Sequence, residues 1–549
     1  MKKIFIIAAI LFSGLAFAQD NGYFFGGFES NSQWLLDDDG LNFDAPEDQF
    51  RSNNYFKLDY NLGMFTAGVQ YETYLPSALL GYAPEFDGHN GIGTYYLNFK
   101  TETIDVTGGY IYEQFGSGLL LRSWEERQLG INSAIRGIRI AFTPLEYLEV
   151  KAIYGQQRYG FEVSEGVVQG ADASIDLGNA FNMENLELNF GASYVARYQS
   201  TGTNDTIPST VNAYGGRLDF VSGNFYGGIE ANIKDPDVIA NEGQLSSNKL
   251  YDGTSMQVDL GYAKKGLGLS ATFRRLENFA FYSDRLAEGN IYNQQLINYT
   301  PALTKQQDYM LTNIYVYNAQ PRLIIESYDQ RSGEVGTQLD LYYKFKKGTT
   351  FGGKYGTKIA ANFSYWAGLD AEYDINNRWY EAKFIGKGPR LFRDFNIEVK
   401  KRWDKKWSSV VTFQNVIVDE GIVHGGPLGP QGDIHATIAV LEGTYKFEGG
   451  KSTRLVLQHL WTNEDRKNWA AGVLEYNFNS RLAVYVADSW NYGDDDDIHY
   501  YSIGGSYSKG RTRLGINYGR QRGGLICVGG VCRFVPENTG VTANLTVSF

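Results

Sequence analysis

The sequence predicts an all-β protein: one large transmembrane β-barrel of about 26 antiparallel strands, within a range of roughly 22 to 28. Three observations carry the prediction. The chain closes on a segment of strict alternation, short turns recur along its whole length, and the amino-terminal segment has the make-up of a secretory signal.

In the closing segment Val541, Ala543, Leu545, Val547 and Phe549 fall on one face, and Thr542, Asn544, Thr546 and Ser548 on the other. Successive strand residues point to opposite faces, so this is a strand with an apolar and a small-polar side. It resembles the last strand of bacterial outer-membrane barrels, which ends on an aromatic carboxyl-terminal residue. A half-buried strand of a soluble sheet shares the alternation, so the rest of the chain has to decide.

Short turns fall near Leu62-Gly63, Thr101-Glu102, Pro144-Leu145, Asn182-Met183, Ser222-Gly223 and Lys264-Lys265-Gly266. Further ones fall near Lys346-Lys347-Gly348, Asn376-Asn377, Asp404-Lys405-Lys406, Glu448-Gly449-Gly450, Asn479-Ser480 and Ser508-Lys509-Gly510. Most are about 30 to 45 residues apart, the length of two strands and one longer loop. The interval from Gly266 to Lys346 is twice that and reads as one hairpin with a large loop. Longer connections alternate with the tight ones, at Thr201 to Pro208, Asp419 to Gly432, Thr462 to Asn468 and Tyr492 to Ile498. A sandwich has no reason to keep that sidedness along a whole chain, whereas a membrane barrel puts tight turns on one rim and long loops on the other.

At the amino end Lys2 and Lys3 precede the apolar run Ile4 to Ala16, and Ala16-Phe17-Ala18 is a small-x-small cleavage site. Residues 1–18 are therefore assigned to a signal peptide and residues 19–549 to the barrel. No apolar stretch of helical-span length follows residue 18, so helical spanning is excluded. The chain carries 50 basic and 62 acidic residues, a net charge of −12, which becomes −14 once Lys2 and Lys3 are removed. That balance disfavours nucleic acid, which needs clustered positive charge.

The two cysteines lie in Cys527-Val528-Gly529-Gly530-Val531-Cys532. A two-residue Gly-Gly turn places Cys527 opposite Cys532, close enough for a cross-strand bridge. Export through an oxidising compartment favours that disulfide. The hairpin from Arg511 to Phe549 has arms longer than a membrane crossing, so it is expected to project outside with the bridge at its tip.

Gly27-Phe28-Glu29-Ser30-Asn31-Ser32-Gln33-Trp34, the Glu113-Gln114-Phe115-Gly116-Ser117-Gly118 run followed by Glu125-Glu126-Arg127, and Gly352-Gly353-Lys354-Tyr355-Gly356-Thr357 resemble an uncharacterised family of Bacteroidota outer-membrane β-barrels, a domain of unknown function. The resemblance implies fold and location in the cell outer membrane. It brings no activity and no site residues.

The densest candidate site is the segment Tyr110 to Gly130. Gly116-Ser117-Gly118 permits a sharp reversal, and Leu119-Leu120-Leu121 is costly to leave in water. The segment is expected to fold inward, carrying Arg122, Glu125, Glu126 and Arg127 into the lumen. Those charges either line a passage or pair with one another inside the loop, and buried charges usually pair. The five histidines show no spacing that singles out a nucleophile and base, so no catalytic site and no enzyme is expected. Asp494-Asp495-Asp496-Asp497 with His499 lacks the Gly-broken order of a calcium loop and reads as a solvated charge run. Asp205-Thr206-Ile207 resembles a glycosylation sequon. No cofactor and no metal is expected.

These readings lead to two functions. One is a pore or substrate-specific channel surrounded by outer-membrane lipid. The other is a structural or docking barrel with a closed lumen that binds surface or secretion-complex proteins. Strand pattern begins soon after the signal and leaves no room for a folded amino-terminal plug, so a transporter of that type is disfavoured. The stretch Glu277 to Asp308, rich in Asn, Gln and Tyr, is a candidate loop plug or partner-binding loop.

Overall fold

The structure, a computed structural model, describes residues 22–80, 86, 88–202, 204, 206–241, 244–287, 290, 294–423 and 431–549. The proposed signal peptide, His424 and Asp205 lie outside the described residues.

Twenty-four antiparallel strands form one closed sheet. They are β1 (Tyr23–Leu35), β2 (Phe50–Leu62), β3 (Phe65–Thr73), β4 (Asn90–Lys100), β5 (Ile104–Ile111), β6 (Ile135–Leu145), β7 (Leu148–Tyr159) and β8 (Glu162–Asp176). Next come β9 (Glu187–Tyr198), β10 (Thr210–Ser222), β11 (Phe225–Asn241), β12 (Gln244–Lys264), β13 (Leu267–Glu277), β14 (Gly333–Lys344), β15 (Thr357–Gly368) and β16 (Arg390–Arg402). The last are β17 (Trp407–Asp419), β18 (Asp433–Lys446), β19 (Ser452–Trp461), β20 (Trp469–Asn477), β21 (Leu482–Asn491), β22 (Ile498–Lys509), β23 (Thr512–Gln521) and β24 (Asn538–Ser548). Each strand pairs with its neighbours in sequence, and β24 closes on β1 from Gly27↔Ser548 to Leu35↔Gly540. Phe549 continues that ladder: it exchanges backbone hydrogen bonds with Gly26 at 3.1 and 3.2 Å, and its ring stacks on Phe56. Closure leaves no unpaired sheet edge.

The count of 24 lies inside the expected range, one hairpin below the central figure of 26. The difference is one turn. Asn376-Asn377 is not a barrel turn but the tip of a small separate hairpin, Ala371–Asp374 with Trp379–Ala382, on the long-loop rim. Its chemistry is that of a barrel turn, since the Asp374 carboxylate accepts the Asn377 N–H at 3.0 Å. Turn residues report reversal of the chain and not the rim at which it reverses. The other eleven short turns all lie on one rim. The opposite rim is not free of tight connections: among the described residues Gly160-Phe161 joins β7 and β8 there.

Alternation sorts the wall. Along β6, Ile138, Ile140 and Phe142 are exposed on the outside while Arg139 points inward to Glu113. Leu514, Ile516 and Tyr518 on β23, and Val484, Val486 and Trp490 on β21, are likewise exposed. The core of this molecule is therefore not between two sheets but inside the barrel, where chain segments from the long-loop rim fill the lumen.

Candidate functional site

Among the described residues three segments do most of the filling of the lumen, each drawn in by side chains that water disfavours. The first is the 112–134 connection, as its leucines predicted. Leu119, Leu120 and Leu121 are buried with Phe115, Ile153, Val168, Val195 and Val211. Burying a leucine is worth roughly 1.5–3 kcal/mol, so the triplet holds this loop down.

The second is the 278–332 connection, which crosses the barrel; the stretch Glu277 to Asp308, a candidate loop plug or partner-binding loop, is its first part. This part packs on the 112–134 loop: the Asn298 amide donates to Leu119 O at 3.1 Å, and the Tyr299 N–H to Gly118 O at 2.9 Å. Its second part packs on the inner face of β15 to β22, where Leu311, Ile314, Tyr315 and Tyr317 meet Trp366, Phe392, Val416, Val418, Ile438 and Trp469. Several polar groups are tied off as they go in, which offsets the cost of burying them. The Trp366 indole N–H donates to Leu303 O at 3.0 Å, the Leu311 N–H to Gln458 Oε1 at 3.0 Å, and the Tyr315 hydroxyl to Asp465 at 3.1 Å. The Tyr317 hydroxyl donates to Glu334, which is ion-paired with Arg274 at 2.7 Å, both side chains fully buried. Burial, reinforced by the Glu334 carboxylate, holds the Tyr317 phenol well above its usual pKa, so it stays a donor.

The third is the tip of the last hairpin, Gly524–Val528 with Val531–Val535. Cys527 and Cys532 face each other and are joined by a disulfide with Cα atoms 4.0 Å apart, and Gly529 and Gly530 take positive φ in the turn. The pairing agrees with the sequence reading; the position does not. The hairpin bends inward at Gly523-Gly524 instead of projecting outside. Leu525 and Cys532 pack on Val316, Gly530 O accepts the Ala302 N–H at 2.7 Å, and Gly529 O accepts the Tyr299 hydroxyl at 2.8 Å. An apolar tip is cheaper against the plug than in water.

The four candidate lumen charges are divided. Arg122 lies over the rings of Tyr299 (4.0 Å) and Trp124 (5.4 Å), clamping one inward loop to the other. Glu126 accepts the Gln128 N–H at 3.0 Å and caps a short turn. Arg127 pairs with Glu29 at 2.6 Å and Glu125 at 3.1 Å, donates to Gln70 at 2.9 Å and covers the Tyr55 ring at 4.2 Å. Burial alone lowers the Arg127 pKa, but Glu125 and Glu29 outweigh it and raise it. Glu125 and Arg127 thus pair, while Arg122 clamps and Glu126 caps. Arg127 pairs at the wall of a remaining hollow.

That hollow, about 750 Å3, follows the seam where the barrel closes. The inner face of β24, β1 and β2 forms one side, and residues from the 36–49 loop, Leu79-Leu80, Arg127-Gln128 and the flank of the last hairpin form the other. A second hollow, about 580 Å3, lies beside the plug between Gln307, Tyr309, Asn362, Asn396, Glu442 and Arg454. Towards the short-turn rim the inner wall is open: Asn189, Asp219, Asn544 and Thr546 point inward and are exposed. The lumen is therefore filled in its long-loop half and open in its short-turn half.

His459 and His499 stay apart from this. His459 shares a hydrogen bond with the Tyr492 hydroxyl at 2.8 Å, and His499 one with Asp488 at 2.7 Å, on the outer surface near the long-loop rim. In the acidic run, Asp497 accepts the Trp490 indole N–H at 2.6 Å. The wall against which the plug docks was missed from sequence, although a signal existed. Ala436 to Leu441 reads Ala-Thr-Ile-Ala-Val-Leu, apolar on both faces, and a strand covered on both faces loses its alternation.

Fold and lumen define a large closed barrel with an internal plug made by its own loops. The chain belongs to the family of unknown function DUF6029, which it matches over residues 1–549. No curated protein sequence matches it. Among solved structures it is similar to the translocation pore of the P pilus usher PapC, at 10% identity and a TM-score of 0.41, covering 96% of this chain and 98% of that one. It is also similar to the copper transporter OprC, at 10% identity and a TM-score of 0.39, covering 96% and 80%. A third is the siderophore receptor PirA from Pseudomonas aeruginosa, at 8% identity and a TM-score of 0.38, covering 97% and 81%.

Proposed function

We propose that this chain is an outer-membrane barrel of a Bacteroidota cell and works as a substrate-specific channel, with its short-turn rim towards the periplasm. The observation that carries the membrane reading is the outer wall. Leu218, Ile229, Leu260, Leu339, Phe413, Leu441, Leu457, Leu474, Val486 and Ile503 are all large, apolar and exposed around the barrel. A contiguous apolar belt of that extent has no place in water, and a closed barrel is one of the two backbone arrangements that a bilayer tolerates. The plug supports selectivity over free diffusion, because what passes has to follow the seam or displace a loop.

The filled long-loop half favours a second reading, a docking barrel for surface or secretion-complex proteins. Neither reading assigns catalysis. Purified protein in a planar bilayer separates them. A channel gives discrete conductance steps, far smaller than an unplugged barrel of this width allows. Silence, together with a partner retained on a native gel, favours docking. Gel mobility that heat does not change, or recovery from the soluble periplasmic fraction, overturns the membrane reading itself.

A further inference from the structure

We infer that the hollow along the seam is a binding site for short peptides with a free carboxyl terminus. The inference deepens the channel reading and rests on it for the direction of traffic, but the site itself stands on the geometry of the hollow. Its volume of about 750 Å3 is within the roughly 300–1,000 Å3 of small-molecule sites.

Its lining has three kinds of surface. Seven primary amides face it: Asn31, Gln33 and Asn53 from β1 and β2, Gln128 from the inward loop, Gln521 from β23, and Asn538 and Asn544 from β24. A primary amide both donates and accepts, so such a wall matches the alternating N–H and C=O of a peptide backbone. Leu35, Leu79, Leu80, Ile526 and Val535 give an aliphatic side for a ligand's side chains. Among the described residues Phe43 is the one aromatic ring in the lining, so the flat stacking faces that suit a sugar ring are scarce.

The charges set the orientation. Arg127 and Glu29 neutralise each other at 2.6 Å. Arg51, by contrast, makes no ion pair with any described residue, and its Nε is buried without a hydrogen-bond partner. A guanidinium offers a planar fork of donors that a carboxylate fills with two hydrogen bonds. Glu537 also lines the hollow and, among the described residues, its carboxylate accepts the Tyr500 hydroxyl at 3.2 Å and is in no ion pair. The site thus holds one cation without a counter-ion and, among the described residues, two carboxylates without a cation, Glu537 and the more exposed Asp44, and a zwitterionic peptide supplies a complement to each sign.

The test is calorimetric titration of the detergent-solubilised barrel with Ala-Leu-Ala, with the same peptide amidated at its carboxyl end, and with maltose. We expect saturable binding of Ala-Leu-Ala, about tenfold weaker for the amide, since a charge-assisted bond to Arg51 is lost. Arg51→Gln should weaken Ala-Leu-Ala by a similar factor and leave the amidated peptide unchanged. Heat-modifiable gel mobility of that variant checks that the barrel is intact. Equal affinity for the two peptides, no effect of Arg51→Gln, or maltose binding in place of peptide each overturns the proposal. Peptide binding without bilayer conductance supports the site and removes the channel reading. Conductance without peptide binding does the reverse.

Discussion

The wall behind the plug and the wall at the seam are made of the same kind of strand, yet one is covered and the other hollow. Both turn large apolar side chains outward, Phe413, Leu441 and Leu457 on the one and Trp34, Phe56 and Val541 on the other. Inward, β15 to β20 present Trp366, Phe392, Val416, Val418, Ile438, Leu460 and Trp469, all nearly or fully buried. The seam presents Glu29, Asn31, Gln33, Asn53, Thr542 and Asn544 to the hollow. An apolar inner face gains free energy when a loop covers it, so chain fills that side. A polar inner face gains little from apolar cover, so the loops that reach it meet it through polar contacts such as Arg127 with Glu29 and leave a hollow between. The composition of the inward positions, not strand count, decides where a wide barrel is closed.

The sharpest way to break the contrast is Trp366→Ala. The indole is fully buried, stacks near Tyr317 with centroids 6.0 Å apart and bonds to Leu303 O. Its loss should cost about 4 kcal/mol, within the usual range for a buried aromatic. Hydrogen exchange in residues 301–325 should accelerate strongly while the barrel strands stay protected; unchanged exchange there means that the apolar wall does not hold the plug. Next comes Glu334→Gln, which strands the buried Arg274 guanidinium and releases the Tyr317 hydroxyl and the Gln320 N–H. A cost of about 3 kcal/mol is expected, because an uncompensated buried charge remains. Chemical denaturation against wild type reads it directly.

Replacing both Cys527 and Cys532 with Ser removes a six-residue loop closure, worth about 2 kcal/mol by chain entropy. The effect should be local: faster exchange in residues 524–535 and a loosened contact with Ala302, with no change in β23 or β24. A change that spreads into those strands would show that the bridge supports the barrel and not the latch. The smallest effect is expected for Arg122→Ala. Loss of its contacts over Tyr299 and Trp124 should cost about 1 kcal/mol and leave any conductance unaltered. An altered conductance would return Arg122 to the passage.

Much of the architecture was legible because a barrel strand writes its two environments into alternate residues. β23 and β24 are plain in this respect, and so were the short turns, whose Gly, Asn and Lys residues reverse the chain by local chemistry. Asn376-Asn377 misled for the same reason. The inward loop was legible at Leu119-Leu120-Leu121, since three leucines have no stable position in a solvated loop. The pairing of Arg127 with Glu29 was not, because the two are 98 positions apart and meet only when β1 and the inward loop share one lumen. The apolar inner wall was written in Ala436 to Leu441, but a run apolar on both faces does not say what covers its second face.

By itself the sequence determined an alternating all-β chain, the number of its reversals to within one hairpin, and the Cys527–Cys532 pairing across Gly529-Gly530. Each follows from interactions a few residues apart or from the period of two. Only the tertiary structure decided that the last hairpin folds inward, that the 278–332 loop crosses to β15 to β22, and that a hollow is left along the seam. Those outcomes depend on which surfaces meet inside a closed ring, and ring closure joins residues from the two ends of the chain.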